Sequence, residues 1–284
     1  MMAIESLVRP KDLGKALEML GEHPDWTPIA GGTDLMVQLR AHRRDDRHLV
    51  DLTAVLPEEI EFRDGILRIG AAATMDSVAR SPLVREFCPA LAAAASKVGA
   101  WPIQCRATLG GNLVNASPAA DTAPPLLVAE ASLEVQSRGS RRSIPITEFF
   151  KGPGTTVLNE GEILLSVEIH RRQAPTLSRF EKLGWRREQI ISVVSLAVEA
   201  DIDEEGKLLD PHVAFGAVAA TPRRAPHVEA LLRGKETDSL STEKLSTAVA
   251  QDISPIDDLR APAWYRKMAA LVMLQRILRE VSNA

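Results

Sequence analysis

The hydrophobic pattern of residues 1–57 predicts a small βαβ-like unit. Leucines at positions 13, 17 and 20 fall on one face of a helix, and Asp12 directly before them is a residue type that caps helices well. Short apolar runs on either side of a second helical stretch are typical of strands. The predicted elements are a helix from Leu13 to Gly21, strands at 27–30 and 48–52, and a helix at 35–40.

Residues 58–175 are predicted to form a second α/β unit. Its strands are expected at 66–71 and 132–136, and an alanine-rich helix is expected at 89–98. The segment from Arg106 to Pro125 stands out between them because it is rich in Gly, Asn, Ser, Thr and Pro. This composition predicts ordered turns in place of a regular element.

Residues 176–284 show a different pattern, which completes an α+β fold class: two α/β lobes followed by a sheet with helices. Alternating apolar residues at 194–202 and 213–217, with a turn between them, predict an antiparallel hairpin. Helices are predicted at 226–232, 242–251 and 263–281. In the last helix, apolar side chains recur every three or four residues and are expected to pack on the sheet: Trp264, Met268, Leu271, Leu274, Leu278 and Val281.

The composition argues against several classes of protein. The chain has 284 residues, of which 45% are hydrophobic and 25% charged, and its net charge of -4 offers no basic domain for a nucleic acid. The cysteines, Cys88 and Cys105, have no neighbouring ligands for zinc or an iron–sulfur cluster, and the histidines show no ligand spacing. No run approaches the ~20 apolar residues that span a bilayer, and no signal peptide is recognisable. We expect a soluble, cytoplasmic protein without a metal site or a catalytic side chain of its own.

Two glycine-centred loops are the candidate binding elements. One is Ala30-Gly31-Gly32-Thr33-Asp34-Leu35, and the other runs from Thr108 to Pro118 around Gly110 and Gly111. Each is expected to offer consecutive backbone N–H groups beside Thr, Asn or Ser side chains, and such loops bind phosphate groups. A tight turn explains a single Gly-Gly pair, but two such loops favour a clamp for a pyrophosphate. Neither loop matches the P-loop or the Rossmann glycine motif.

These motifs resemble the FAD-binding medium subunits of the molybdenum hydroxylase family, relatives of carbon monoxide dehydrogenase and of the flavin domain of xanthine dehydrogenase. The resemblance covers nearly the whole chain and rests on A-G-G-T-D-L at 30–35, T-L-G-G-N-L-V-N-A-S-P-A-A-D at 108–121 and F-E-K-L-G-W-R-R at 180–187. It implies a two-lobed, PCMH-type FAD-binding fold, in which both glycine loops wrap the FAD pyrophosphate. No motif for covalent attachment is recognisable, so we expect FAD to be held without a covalent link.

The resemblance also implies a set of cofactor contacts. For Asp121, the resemblance implies a contact to cofactor hydroxyl groups, and the alternative interpretation is a helix N-cap. The alternation of its strand places Leu164 alone on a polar face. The resemblance implies that it contacts the ligand, and the alternative is an isolated surface leucine. For Lys182, the resemblance implies that its charge stabilises negative charge on the reduced ring, and the alternative is a solvated residue of a strand. The implied contacts are Ala30, Gly31, Gly32, Thr33, Asp34, Leu35, Thr108, Gly110, Gly111, Asn112, Ser117, Asp121, Leu164 and Lys182.

The function implied by the resemblance is electron relay. A large partner subunit would hold the molybdenum cofactor, a small partner subunit would hold two iron–sulfur clusters, and FAD in this chain would deliver electrons to an external acceptor. The family suggests a dimer of heterotrimers. Two alternatives are a stand-alone FAD-dependent oxidase or reductase acting on a small organic substrate, and a scaffold that binds no flavin. The first lacks an obvious His or Tyr pair for acid–base work, and the intact glycine loops argue against the second.

Overall fold

The computed structural model describes residues 4–171, 175–186, 189–236 and 240–282, and side chains as far as residue 280. The side chain of Val281, predicted to pack on the sheet, lies outside the described residues, as does Arg187 of the third motif. No helix in these ranges combines the length and apolar character needed to cross a bilayer. The division of the chain at residues 57 and 175 stays a prediction.

The amino-terminal lobe is a three-stranded parallel sheet with two helices. Its elements are β1 (Ser6–Val8), α1 (Leu13–Glu22), β2 (Thr27–Ile29), α2 (Leu35–Arg40) and β3 (His48–Asp51). The strand order is β1-β3-β2, so the βαβ prediction is confirmed. The Asp12 carboxylate accepts a hydrogen bond from the Lys15 amide at 2.8 Å and caps α1 as expected. Strand β1 is not predicted from the sequence because three residues are too few to show a period.

The second lobe is built on a five-stranded antiparallel sheet in the order β4-β5-β10-β6-β7. The long connection between β5 and β6 carries a series of short helices. The elements are β4 (Ile60–Arg63), β5 (Ile66–Gly70), α3 (Met75–Arg80), α4 (Pro82–Phe87), α5 (Pro89–Ala95), α6 (Trp101–Gln104), α7 (Leu109–Val114), α8 (Ala123–Val128), β6 (Ser132–Gln136), β7 (Arg141–Pro145), α9 (Ile146–Phe149), β8 (Phe150–Gly152), β9 (Thr155–Thr156) and β10 (Ile163–His170).

The segment from Arg106 to Pro125 contains two helical pieces, α7 and the start of α8, so the prediction of turns alone is wrong. Thr108 starts α7 because its hydroxyl oxygen accepts a hydrogen bond from the Gly111 amide at 3.1 Å. Pro124 lies in the first turn of α8, where a missing N–H leaves no helical hydrogen bond unmade. Composition alone did not reveal these positional effects.

The carboxy-terminal part is a four-stranded antiparallel sheet in the order β11-β12-β13-β14, followed by three helices. The predicted hairpin and the three predicted helices are confirmed. The elements are β11 (Leu177–Leu183), β12 (Val194–Ile202), β13 (Leu208–Gly216), β14 (Arg223–Arg224), α10 (Pro226–Leu232), α11 (Thr242–Asp252) and α12 (Ala263–Ser282).

Helix α12 packs on β12 and β11 with a different face from the one predicted at its start. Leu274 and Leu278 are buried as expected, but Trp264 is 66% exposed and Met268 is also exposed, so the prediction is wrong for these two. The residue buried in the first turn is instead Arg266, whose guanidinium group donates hydrogen bonds to the carbonyl oxygens of Val193 and Ala217 at the end of the sheet.

Three hydrophobic clusters hold the parts of the chain together. A first-lobe cluster joins α1 and β3 to Ile163 and Leu165 of β10. The main cluster fills the second lobe and includes Phe180 and Ala197 of the carboxy-terminal sheet, whose other face belongs to a C-terminal cluster with α12. The sheet is therefore sandwiched between the second lobe and the helices, and strand β12 is buried on both faces from Val194 to Ala200.

Candidate cofactor-binding site

The first glycine loop leads from β2 into α2 and presents free backbone donors. Within the described part of the chain, no hydrogen bond pairs the amides of Gly31 to Leu35 with an acceptor, and none involves the hydroxyl of Thr33. The loop is half-buried apart from Asp34, which is exposed and accepts a hydrogen bond from the Gln38 side chain. A run of unpaired amides at a half-buried surface suits an oxyanion ligand.

The two glycine loops meet in space, as the sequence predicts. Gly31 lies so close to the residues preceding Thr108 that an added Cβ would stand 2.0 Å from the carbonyl oxygen of Arg106 and 3.1 Å from the Cα of Ala107. Only glycine permits this approach of two backbones. The first lobe and the second lobe therefore contribute to one site.

The second loop does not present consecutive free amides, and this part of the prediction is wrong. The amides of Leu109 and Gly110 donate to the carbonyl oxygens of Ala73 and Ala71, both at 2.9 Å. The Gly111 amide donates to the Thr108 hydroxyl, and the Asn112 amide donates to the Thr108 carbonyl at 3.0 Å. These bonds arise because Thr108 caps α7 and the loop pairs with the residues that follow β5.

The polar groups that the second loop offers are side chains. Asn112 is half-buried, and its Oδ1 accepts a hydrogen bond from the Thr122 hydroxyl at 2.6 Å, which leaves its two N–H donors available. Ser117 is half-buried, and its oxygen accepts a hydrogen bond from the Ala119 amide at 3.2 Å. Gly110 packs against Ala71 with no room for a Cβ. The loop thus combines a fixed backbone with a few directed side-chain donors.

Asp121 and Lys182, which are 61 residues apart, form a buried ion pair between the second lobe and the carboxy-terminal sheet. Lys182 Nζ lies 2.5 Å from Asp121 Oδ2, and the two side chains are only 5% and 7% exposed. Lys182 also donates to the carbonyl oxygen of Lys97 at 2.9 Å. The other carboxylate oxygen accepts a hydrogen bond from the Ser192 hydroxyl at 2.5 Å. Neither residue is a solvated surface group, and Asp121 caps no helix.

Burial raises the pKa of the Asp121 carboxyl above its ordinary value, while the charge and hydrogen bond of Lys182 and the hydrogen bond of Ser192 act against this rise. Lys97 adds a weaker attraction in the same direction. Lys182 is therefore the chief group that favours the charged form of this carboxylate.

Replacing Lys182 by methionine is expected to lower the free energy of unfolding by about 3 kcal/mol at neutral pH, because it leaves a buried carboxylate without its cation. The loss stays at the lower end of the usual range because Asp121 can take up a proton instead. Its raised pKa rises further, so the folded chain binds this proton more tightly than the unfolded chain. The loss should therefore shrink as the pH falls through that pKa, as measured by urea unfolding at a series of pH values.

The matched variant Lys151→Met changes an exposed lysine on β8 and is expected to alter the unfolding free energy by less than about 0.5 kcal/mol at every pH. A loss in Lys182→Met that stays constant as the solution is acidified would contradict a buried, unpaired carboxylate as its cause.

Leu164 is a core residue, and its predicted place on a polar face is wrong. Strand β10 is covered on both sides: Ile163 and Leu165 belong to the first-lobe cluster, while Leu164 belongs to the main cluster with Leu109 of α7. The ordinary alternation fails because the strand bulges between Leu164 and Ser166. Leu164 is thus an interior residue of β10, the strand that packs against α7.

Trp185 of the third motif is tied to the start of α12. Its indole is mostly exposed, stacks on Tyr265 with ring centroids 6.3 Å apart, and donates a hydrogen bond to the Arg260 carbonyl at 2.5 Å. The segment that follows β11 is thereby anchored three residues beyond Lys182.

Ser192 is the site residue that sequence reasoning missed. It lies in an apolar run that also contains Ser195, and nothing in the local pattern distinguishes the two. A second missed contact is backbone in origin: the amide of Ala217 donates to the carbonyl oxygen of Pro118 at 2.8 Å and joins the end of β13 to the second glycine loop.

Comparisons with known proteins agree over nearly the whole chain. Residues 2–171 match the family model described as FAD binding domain in molybdopterin dehydrogenase, and residues 179–281 match the CO dehydrogenase flavoprotein C-terminal domain. The putative xanthine dehydrogenase FAD-binding subunit XdhB of Escherichia coli K12 is 32% identical over 100% of this chain and 98% of its own. The carbon monoxide dehydrogenase medium chain of Hydrogenophaga pseudoflava is 27% identical over 95% of this chain and 94% of its own. A solved structure of carbon monoxide dehydrogenase from that organism superposes with a TM-score of 0.89, at 28% identity and 96% coverage of both chains.

Proposed function

The chain belongs to the family of FAD-binding subunits of molybdopterin dehydrogenases, and from this premise we propose that it relays electrons from iron–sulfur clusters of a partner subunit to an external acceptor. The observation that carries the proposal is the meeting of the two glycine loops, together with the amides of Gly31 to Leu35, which have no acceptor among the described residues. The stand-alone oxidase or reductase is not favoured, because the relatives that match the whole chain are subunits of larger dehydrogenases.

The residues present fit a dinucleotide with a pyrophosphate. In our proposal the amides of residues 31–35 and the Thr33 hydroxyl bind phosphate oxygens, because these donors have no other acceptor within the described residues. Asn112 and Ser117 add side-chain donors from the other loop, whose backbone is held by Thr108 and Gly110. The first lobe thus supplies backbone donors and one hydroxyl, and the second lobe supplies side-chain donors.

The ion pair supplies the remaining contacts. Each oxygen of the Asp121 carboxylate has one donor in this structure and keeps a second lone pair, so it is able to accept from a cofactor hydroxyl group. Lys182 holds a positive charge at the boundary between the second lobe and the sheet, where it favours negative charge on a bound ring. When bound, FAD would supply the two-electron chemistry that no side chain provides. For Leu164 we propose support of α7 in place of a direct contact.

The partners follow from the relatives by analogy. The carbon monoxide dehydrogenase relative is named a medium chain, which implies a larger and a smaller companion. We propose that a large subunit with the molybdenum cofactor and a small iron–sulfur subunit assemble with this chain, and that two such heterotrimers pair. Residence in the cytoplasm stays a prediction of the sequence.

Copurification tests this proposal. When the tagged chain is isolated from its native host, we expect a yellow complex in which molybdenum and iron are present in stoichiometric amounts with FAD, measured by metal analysis and flavin absorbance. The control is the same chain produced alone in a foreign host, where we expect bound FAD without molybdenum or iron. Turnover of an organic substrate by the chain alone, with its flavin as the only redox group, would show that the relay function is wrong.

A further inference from the structure

We propose that Ser192 is a positioning residue that fixes the Asp121 carboxylate for its contact with FAD. This inference rests on the function proposed above, in which Asp121 accepts from a cofactor hydroxyl group. Ser192 itself touches no other site residue by hydrogen bond and acts through Asp121 alone.

The geometry places Asp121 between two donors from the carboxy-terminal part of the chain. The hydroxyl of Ser192, a residue that is 0% exposed, donates to Oδ1 at 2.5 Å, and Lys182 Nζ lies 2.5 Å from Oδ2. Because each oxygen has its own donor, the carboxylate plane cannot turn without breaking one of these bonds. Lys182 is fixed in turn by the Lys97 carbonyl. Ser192 therefore determines which lone pairs of Asp121 remain available to a ligand.

The chain contains a matched serine that lacks this contact. Ser195 on β12 is also 0% exposed, but its hydroxyl has no hydrogen-bond partner among the described residues and packs close to Gly216. Ser192 lies two residues before β12, so removing either hydroxyl takes one buried oxygen atom from the same stretch of chain. A difference between the two alanine variants thus reports the bond to Asp121 and not the loss of a buried polar atom.

Protonation provides a readout that a purely structural role would not change. Burial raises the pKa of the Asp121 carboxyl, and Lys182 and Ser192 oppose this, with Lys97 as the further charge acting on the carboxylate. Without the Ser192 hydroxyl the pKa of Asp121 rises further. A carboxylate that accepts from FAD loses this ability when it is protonated, so FAD affinity should fall on acidification at a higher pH in the variant.

The experiment is an FAD titration of the purified full chain from neutral to acidic pH. For Ser192→Ala we expect a roughly ten-fold higher dissociation constant for FAD at neutral pH, because a hydrogen bond to a charged group is lost. On acidification, the FAD affinity of this variant should begin to fall at a higher pH than that of the wild type. For Ser195→Ala we expect wild-type FAD affinity, which falls on acidification at the same pH as in the wild type. Ser192→Cys roughly keeps the volume of the side chain but offers only a weak donor, so its dissociation constant for FAD should lie between those of the wild type and Ser192→Ala. This variant also tests the inference if Ser192→Ala folds poorly.

The background variant Asp121→Asn separates this inference from the proposed function. We expect Asp121→Asn to weaken FAD binding by itself and Ser192→Ala to add no further loss in that background. If Asp121→Asn weakens binding while Ser192→Ala does not, or if the two losses add in full, the positioning role is wrong and the proposed function stands. If Asp121→Asn binds FAD as the wild type does, the contact proposed for Asp121 is wrong, and the positioning role is wrong with it.

Discussion

Replacing Gly31 by alanine is expected to raise the dissociation constant for FAD by about 100-fold or more, measured by titration of the purified chain. The new Cβ would stand 2.0 Å from the Arg106 carbonyl oxygen and 2.8 Å from its carbonyl carbon. Both atoms are backbone, so no side chain can turn aside, and one of the two glycine loops must move. The unpaired amides of the first loop would then be displaced relative to the side-chain donors of the second loop.

Gly139→Ala is the matched control, because a Cβ at that position meets nothing within 4 Å. It lies in the connection between β6 and β7, and we expect wild-type FAD affinity. Circular dichroism should show that both variants keep the fold of the wild type. Wild-type FAD affinity in folded Gly31→Ala would mean that the close contact of the two loops is unnecessary for binding, and the proposed clamp would have to be abandoned.

Replacing Arg266 by methionine is expected to lower the free energy of unfolding by about 5 kcal/mol, because it leaves two buried carbonyl oxygens and the half-buried Asp258 carboxylate without their donor. Arg266 is 2% exposed and donates to the carbonyl oxygens of Val193 at 2.6 Å and Ala217 at 2.9 Å, and to Asp258 at 2.6 Å. Methionine fills much of the volume but donates to none of these acceptors, two of which are buried backbone groups.

The effect of this change should reach the cofactor site. Ala217 has a positive φ of 61°, which is unfavourable for alanine, and its amide donates to Pro118 in the second glycine loop. Arg266 holds the carbonyl of the same residue, so its loss should also weaken FAD binding. Chemical unfolding and FAD titration measure the two effects.

The neighbouring variant Lys267→Met is the control for Arg266→Met. Lys267 is exposed on the same helix, and its replacement is expected to change the unfolding free energy by less than about 0.5 kcal/mol. Similar stability losses in the two variants would show that the buried hydrogen bonds of Arg266 are not the source of the effect.

The helices and strands that were predicted have local signals. The spacing of apolar residues gives the period of each element, and residues such as Asp12 mark where a helix begins. The failures have physical causes. Two helical pieces in the segment from Arg106 to Pro125 depend on the cap at Thr108 and on proline in a first turn, while its overall composition resembles that of a loop. At the start of α12, Trp264 is exposed because Arg266 takes the buried face.

The candidate site was predicted in part. The motifs located both glycine loops, and Gly31 brings them together as expected. The sequence could not show that the amides of Leu109 and Gly110 are used within the protein, because their acceptors are the carbonyls of Ala71 and Ala73 in the distant segment that follows β5. A run of glycines signals where backbone groups are accessible, but tertiary hydrogen bonds decide whether they are free.

The sequence by itself determined the family, the order of the elements and the positions of the two loops, since each of these depends on residues that are close together in the chain. Only the tertiary structure decided that Asp121 pairs with Lys182, that Ser192 and not Ser195 reaches this carboxylate, and that Leu164 is buried. These outcomes depend on strand register and on one bulge in β10, and a shift of one residue moves a side chain to the opposite face of a sheet. Register is set by packing between distant segments, which no local pattern records.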